Sequence, residues 1–275
     1  MAAILRETDV LSESSPRMKR WKYLLLVGTT VLASGCMRHD VATDREAARW
    51  RAAEQLVLVT IPDWNADHGV LSTHERSGDG WREVRAAQPV TIGRAGAAWG
   101  LGLHAARAEG PQKREGDGRS PAGVFAIGDA FGYSGNADTA LRYRAMGASD
   151  YCVDVSGSPL YNRIVDARVV GADAVAASTE PMRRDLHANG DTRYRLGFVI
   201  EHNAQAQAGG GSCIFAHLWK SPGDSTSGCT AMNDALMESL LAWLRPERHP
   251  VFVLLPETEY RRLHRSWQLP VEATR

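Results

Sequence analysis

A histidine and a cysteine stand close together in the run from Cys213 to Met232, C-I-F-A-H-L-W-K-S-P-G-D-S-T-S-G-C-T-A-M. His217 closes a short apolar segment, a loop rich in Ser, Gly and Pro follows, and Cys229 comes between Gly228 and Thr230. A thiol with an ordinary pKa of about 8.5 is only a few per cent thiolate at neutral pH, and an imidazole that takes its proton makes it a nucleophile. The same residues admit other readings. With His202 they supply two nitrogens and one sulfur, a set that zinc accepts, although no Cys-x-x-Cys, His-x-x-x-His or His-Glu-x-x-His spacing accompanies them. A cysteine in an apolar stretch also serves simply as a small hydrophobe.

The N-terminal residues bear on which thiols stay free. Met18-Lys19-Arg20-Trp21-Lys22 is a basic segment, and the apolar run from Tyr23 to Ala33 is too short to span a bilayer as a mature helix. It ends in Leu32-Ala33-Ser34-Gly35 directly before Cys36, which resembles the lipobox of bacterial lipoproteins. That resemblance implies lipidation of Cys36 and an exported, periplasmic protein held on an envelope membrane by its lipid. The alternative is a plain secretory signal cut nearby. Residues 1–17 read as a polar extension outside the fold, 18–36 as the signal, and 37–54 as a tether or short helix. The sequence holds four cysteines. In an oxidising compartment, with Cys36 lipidated and Cys229 kept free to react, Cys152 and Cys213 are the pair left to form a disulfide. Both lie in apolar stretches where unpaired packing is the other reading.

The formal net charge is +0, and no Lys/Arg block follows the signal. Phosphate binding needs a basic face, so nucleic acid is not expected as a partner. No cofactor is expected either.

The elements that must position the pair are mostly strands. Residues 55–61 (ended by Pro62), 70–76, 81–84, 90–92, 123–127, 151–155, 196–200, 213–217 and 251–255 carry β patterns, with 77–80 as a turn. Helical spacing is clear over Asn233–Leu244, where Leu236, Leu240, Leu241 and Leu244 share a face, and a second helix is predicted from Glu257 to His264. Many short strands with Gly-rich turns and a few late helices predict a mainly β domain, a sandwich or a barrel, over residues 55–256, with a C-terminal helix and tail over 257–275.

Four segments in order resemble the L,D-transpeptidase catalytic-domain family, which remodels bacterial peptidoglycan. They are Arg114–Phe125 (R-E-G-D-G-R-S-P-A-G-V-F), Cys152–Asn162 ending in Leu160-Tyr161-Asn162, Val199-Ile200-Glu201-His202-Asn203, and the run from Cys213 to Met232. His217 matches the family's first histidine, Thr226 its Ser/Thr, Gly228 its glycine and Cys229 its nucleophile. Ser227 stands where the family has a second histidine, and Ala231 where it has Arg or Asn, so the chain resembles a divergent branch.

The resemblance implies acyl transfer on peptidoglycan stem peptides. The Cys229 thiolate attacks the carbonyl of the third stem residue, the terminal D-alanine leaves, and a thioester forms for an amine to take over. His217 is the implied base, returning the proton to the leaving amine. The backbone N–H groups of Gly228 and Cys229, in a turn flanked by Thr226 and Ser227, are the predicted oxyanion donors. His202, Asn203, Trp219, Arg119 and Asn162 are candidates for the substrate groove, each set against a structural role. Water as acceptor would make the protein a carboxypeptidase, endopeptidase or amidase instead. Loss of the chemistry altogether would leave a stem-peptide-binding envelope lipoprotein.

Overall fold

The computed structural model describes residues 49–271. Residues 1–17, the signal segment with Cys36, and most of the 37–54 tether lie outside the described residues.

The protein is mainly β. Its strands are β1 (Gln55–Ile61), β2 (His68–Ser77), β3 (Gly80–Thr91), β4 (Ala97–Trp99), β5 (Ser120–Gly132), β6 (Tyr143–Ala145), β7 (Asp150–Cys152), β8 (Ile164–Asp166), β9 (Glu180–Pro181), β10 (Leu196–Ile200), β11 (Phe215–Leu218), β12 (Thr230–Met232) and β13 (Val251–Pro256). Two helices follow the site residues in the chain, α1 (Asp234–Trp243) and α2 (Glu257–Leu263). Neighbouring strands run β10-β11-β12-β3-β2-β1-β13-β5, and β5 pairs back to β10, so the sheet closes into a barrel. β4 and β6 pair onto β5 outside this ring, and β8-β7-β9 form a separate small sheet.

Closure depends on β5, which is long enough to serve two partners. Gly123–Ala126 pairs antiparallel with β13, and Ile127–Gly132 pairs antiparallel with β10, where the register shifts between Phe198 and Ile200. A shift of this kind bends a strand and lets a sheet turn a corner. Most pairings in the ring are antiparallel, but β1 and β13 run parallel, as do β11 and β12.

β1 is apolar on both faces because β2 and β13 flank it inside the sheet and other elements cover both sides. Leu56, Val57, Val59 and Ile61 share a core with Phe125, Phe198, Phe252, Val253 and Leu254. Burying a side chain of this size contributes roughly 1.5–3 kcal/mol relative to leaving it exposed. α1 begins where the Asn233 Oδ1 accepts from the Leu236 N–H at 2.8 Å, and it buries Leu236, Met237, Leu240 and Leu241 in the same core. α2 adds Tyr260 and Leu263, and beyond it Trp267 packs edge-on against Trp50 with ring centroids 5.4 Å apart. The C-terminal helix is therefore part of the barrel's own core.

The predicted segments 81–84 and 90–92 belong to one strand, β3, that continues through Ala86, Ala87 and Pro89. It absorbs them by two register shifts against β2. The segment predicted at 213–217 begins at Phe215 instead, because Cys213 takes a φ of 56° and turns the chain just before the strand.

Candidate active site

β11 and β12 bring His217 and Cys229 together. They pair in parallel with His217 opposite Ala231, and Cys229 stands two residues before Ala231. Cys229 lies in the bend that leads into β12, with its Sγ against the Phe215 N–H of β11. Tyr194 touches the pair from above: its ring lies 5.2 Å from that of His217, edge to face, and shares a buried cluster with Cys229.

The turn that carries the thiol is held rigidly. The Thr226 hydroxyl accepts from the Gly228 N–H (3.0 Å) and donates to the Cys229 carbonyl (2.7 Å). The Ser120 hydroxyl donates to the same carbonyl at 3.0 Å. Gly228 has a φ of 146°, where a side chain is strained, and a Cβ there would sit 3.0 Å from the Arg119 carbonyl, so glycine suits the position on both counts. Because Thr226 already engages the Gly228 amide, that amide is not open as an oxyanion donor in this arrangement. The Cys229 N–H makes no hydrogen bond among the described residues and remains available.

His217 is buried, and its Nδ1 lies 2.7 Å from the Leu218 carbonyl. A carbonyl can only accept, so Nδ1 carries the proton and Nε2 holds the lone pair that a base needs. Burial lowers its pKa to about 4, the Leu218 hydrogen bond opposes that shift, and the nearby Arg193 and Arg184 cations reinforce it. Burial likewise pushes the Cys229 thiol up to about 12, helped by the Glu180 carboxylate. The Phe215 N–H donates to its Sγ at 3.3 Å, and the thiol points back to the Cys213 carbonyl at 3.5 Å. No hydrogen bond joins His217 to Cys229 directly. The resting pair is a neutral thiol and a neutral imidazole, not a preformed ion pair.

The small sheet is what buries the thiol. Met146, Cys152 and Met182, from β7 and the chain beside the sheet, pack with Phe131, Phe215, Tyr194 and Cys229 in a second apolar cluster. Cys152 and Cys213 are joined by a disulfide that ties β7 to the chain leading into β11. Asn162 adds three further ties. Its side chain donates to the His202 (2.8 Å) and Asn203 (3.0 Å) carbonyls and accepts from the Cys213 N–H (2.8 Å).

The remaining predicted groove residues are accounted for by internal bonds. His202 accepts from the Leu101 N–H at Nδ1 (3.2 Å) and donates from Nε2 to the Gly210 carbonyl (2.9 Å). Asn203 closes the following loop through Gln207 and Gly211. Arg119 donates to the carbonyls of Trp64 and Ala97 and to Asn65, stapling the chain near β4. Trp219 donates to the Thr91 hydroxyl at 2.8 Å and anchors the loop after β11. Ser227 is exposed and accepts from Arg94 at 2.8 Å. Both His202 nitrogens are thus taken, and among the described residues no group of three or more His, Cys, Asp or Glu is placed to hold a metal ion.

A cleft of about 170 Å³ opens beside His217, lined by Arg193, Lys220, Asp224, Ser225, Thr226 and Ala231. Arg193 and Lys220 carry no motif and no local signal marks them. Arg193 lies just before β10 and Lys220 just after β11, and only strand pairing brings them together.

Fold and site together define a closed, mainly β barrel with a buried thiol beside a tautomer-fixed imidazole. No family model and no curated protein matches the sequence. Among solved structures it is similar to the helical cell shape determining protein Pgp2 from Campylobacter jejuni, with 11% identity and a TM-score of 0.36 over 78% of this chain and 55% of that chain. The chain thus spans about half the length of that protein, and a likeness this distant carries no argument about chemistry.

Proposed function

We propose that the protein is a cysteine-dependent acyltransferase acting on peptidoglycan stem peptides, with Cys229 as nucleophile and His217 as base. The observation that carries this reading is a free thiol at the entry to β12 and a base-competent imidazole on the adjacent parallel strand β11, with Tyr194 packed beside both. The segments that resemble L,D-transpeptidases supply the substrate class. The turn from Thr226 to Cys229 is held by two hydroxyls on the Cys229 carbonyl and by a glycine at a strained φ, which fixes the backbone that carries the thiol.

In the closed arrangement proton transfer from thiol to imidazole is strongly uphill, since the first titrates near 12 and the second near 4. Both shifts come mainly from burial, so admission of substrate or water under the small sheet is the step that brings the two values together. His217 Nε2 then takes the proton, Cys229 attacks the carbonyl, the Cys229 N–H meets the oxyanion, and the leaving amine receives the proton back. The burial of the thiol also favours a second reading, a stem-peptide-binding envelope protein without turnover.

Incubation of a form lacking residues 1–36 with tetrapeptide-bearing muropeptides, read by mass, separates these readings. Acylated enzyme with cross-linked dimers is expected. D-alanine release alone would name a hydrolase, and no product together with no mass increase on Cys229 would leave the binding role. Cys229→Ala is expected to abolish every product.

A further inference from the structure

Charge is expensive in the cluster that holds Cys229. Transfer of the thiol proton to His217 makes an imidazolium and a thiolate where both groups were neutral, and each new charge under the small sheet carries a desolvation cost. The Glu180 carboxylate opposes the thiolate as well, because like charges at close range do not ionise together cheaply. A proton that moves from the thiol to Glu180 avoids both costs. One negative charge is buried before the move and one after it.

The pieces for such a move are in place. β9 sets Glu180 opposite Cys152 in the small sheet, and Arg184 Nη1 holds its Oε1 at 2.9 Å. The same guanidinium lies 5.5 Å from the Tyr194 ring. That ring stands edge-on to His217 at 5.2 Å and to Phe215 at 5.5 Å, and the Phe215 N–H holds the Cys229 Sγ at 3.3 Å. The Tyr194 hydroxyl is thus within hydrogen-bonding reach of the carboxylate and of the thiol. A hydroxyl donates and accepts at once, so it can hand a proton across without ionising. Burial holds the ionisation of Tyr194 well above its ordinary value, which keeps it a neutral carrier. Burial also raises the Glu180 pKa, with Asp154 in the same sense, while Arg184 and the Tyr194 hydrogen bond oppose. On the thiol side Arg193 favours the anion, and Asp191 pairs with both Arg184 and Arg193.

We propose that Glu180, acting through the Tyr194 hydroxyl, is a second acceptor for the Cys229 proton beside His217. As the C–S bond forms and the carbonyl electron pair moves onto oxygen, the S–H proton passes to the Tyr194 oxygen and the Tyr194 proton passes to Glu180, which ends neutral. When the C–N bond breaks, the proton returns along the same path to the leaving amine. The inference rests on the reading of Cys229 as an acylated nucleophile and adds a route for its proton that creates no new charge. By this route His217 Nε2 stays free to take a proton from the acceptor that follows.

The test follows acylation of Cys229 by a tetrapeptide-bearing muropeptide, read by mass from pH 4 to 9, in the wild type, Glu180→Gln and Tyr194→Phe. Iodoacetamide alkylation of Cys229 at pH 8 is the second readout. Glu180→Gln is expected to slow acylation roughly 100- to 10,000-fold, the usual range for a positioned proton acceptor. The same variant should speed alkylation at least about tenfold, because a free thiolate then forms without a carboxylate beside it. A merely structural role moves the two rates in the same direction. Wild-type acylation should fall in acid as Glu180 takes up a proton above the ordinary carboxylate range, and this limb should vanish in Glu180→Gln. Tyr194→Phe keeps the ring contacts and should lose the same part of the rate, and the double variant should lose no more. Acylation of Glu180→Gln at the wild-type rate, or a change of both its rates in one direction, overturns the relay. If Glu180→Gln melts early, Tyr194→Phe decides: acylation at the wild-type rate overturns the relay. A wild type that is alkylated but never acylated overturns the reading on which the relay rests.

Discussion

The molecule has two apolar clusters built on different principles. The main one lies inside the barrel and is aliphatic and aromatic throughout, with β1, β13, β5 and both helices contributing. The smaller one lies under the β8-β7-β9 sheet and mixes Cys229 and Tyr194 with the disulfide, Met146 and Met182. Around it stand Arg184 paired with Glu180 and Asp191, and Arg193 paired with Asp191. The first cluster gains its stability from buried area, the second largely from tethers. A region held by a few cross-links can open without unfolding the rest, and a buried thiol with a high pKa needs such an opening to react.

The sharpest way to break this contrast is to carve each cluster in turn. Phe252→Ala, between β1 and β5, is expected to cost about 3–5 kcal/mol of global stability in urea unfolding, in a single transition. A small loss there would mean that the barrel core is looser than its burial implies.

Replacing Cys152 and Cys213 together by Ser removes a cross-link across a sequence separation of 61 residues, for an expected loss of about 2–4 kcal/mol. The more telling readout is Cys229. In the intact form lacking residues 1–36, its alkylation by iodoacetamide should rise about tenfold per pH unit through pH 10 without a plateau, as a thiol near 12 requires. In the double variant the rate at pH 8 should be at least about ten times higher. Equal rates would mean that the small sheet does not guard the thiol.

Acid should act on both regions. His202 and His217 each titrate near 4 in the fold and near 6.5 when unfolded, so below pH 6.5 the unfolded chain binds the extra protons. The stability they contribute is complete above pH 6.5 and is lost as pH falls toward 4, by at most about 3 kcal/mol each. Unfolding midpoints from pH 7 to 4 check this, and His217→Gln should flatten part of the slope. Last and smallest, Arg94→Ala, which frees Ser227 on the exposed surface, should change stability by no more than about 0.5 kcal/mol and leave Cys229 alkylation unaltered.

The two regions were also unequally legible from sequence. β1 and β10 matched their predicted spans and α1 lay within its own, because an unbroken apolar run and an Asn-capped 3.6-residue period are local signals. β4, β6, β8, β9 and β12 are each three residues or fewer, too short for any period to show. Among them are β12, which follows Cys229, and β8 and β9 of the small sheet. Sequence therefore pointed to His217 and Cys229, which carry chemistry in their side-chain types, and missed Tyr194, Ser120, Arg193 and Lys220, whose relevance comes only from pairing. It also offered His202, Asn203, Arg119 and Asn162 as groove candidates, each set against a structural role. In the structure those polar side chains satisfy backbone groups in the loops that support it.

The parallel pairing of β1 with β13 has a mechanical consequence. Six residue pairs, Leu56–Val251 through Ile61–Pro256, lie side by side with both strands pointing the same way. Tension applied between the start of β1 and the end of β13 pulls these strands lengthwise past each other and loads all their hydrogen bonds at once. A hairpin such as β2–β3 pulled at its open end would instead peel one bond at a time. The barrel seam between β1 and β13 would therefore resist in shear.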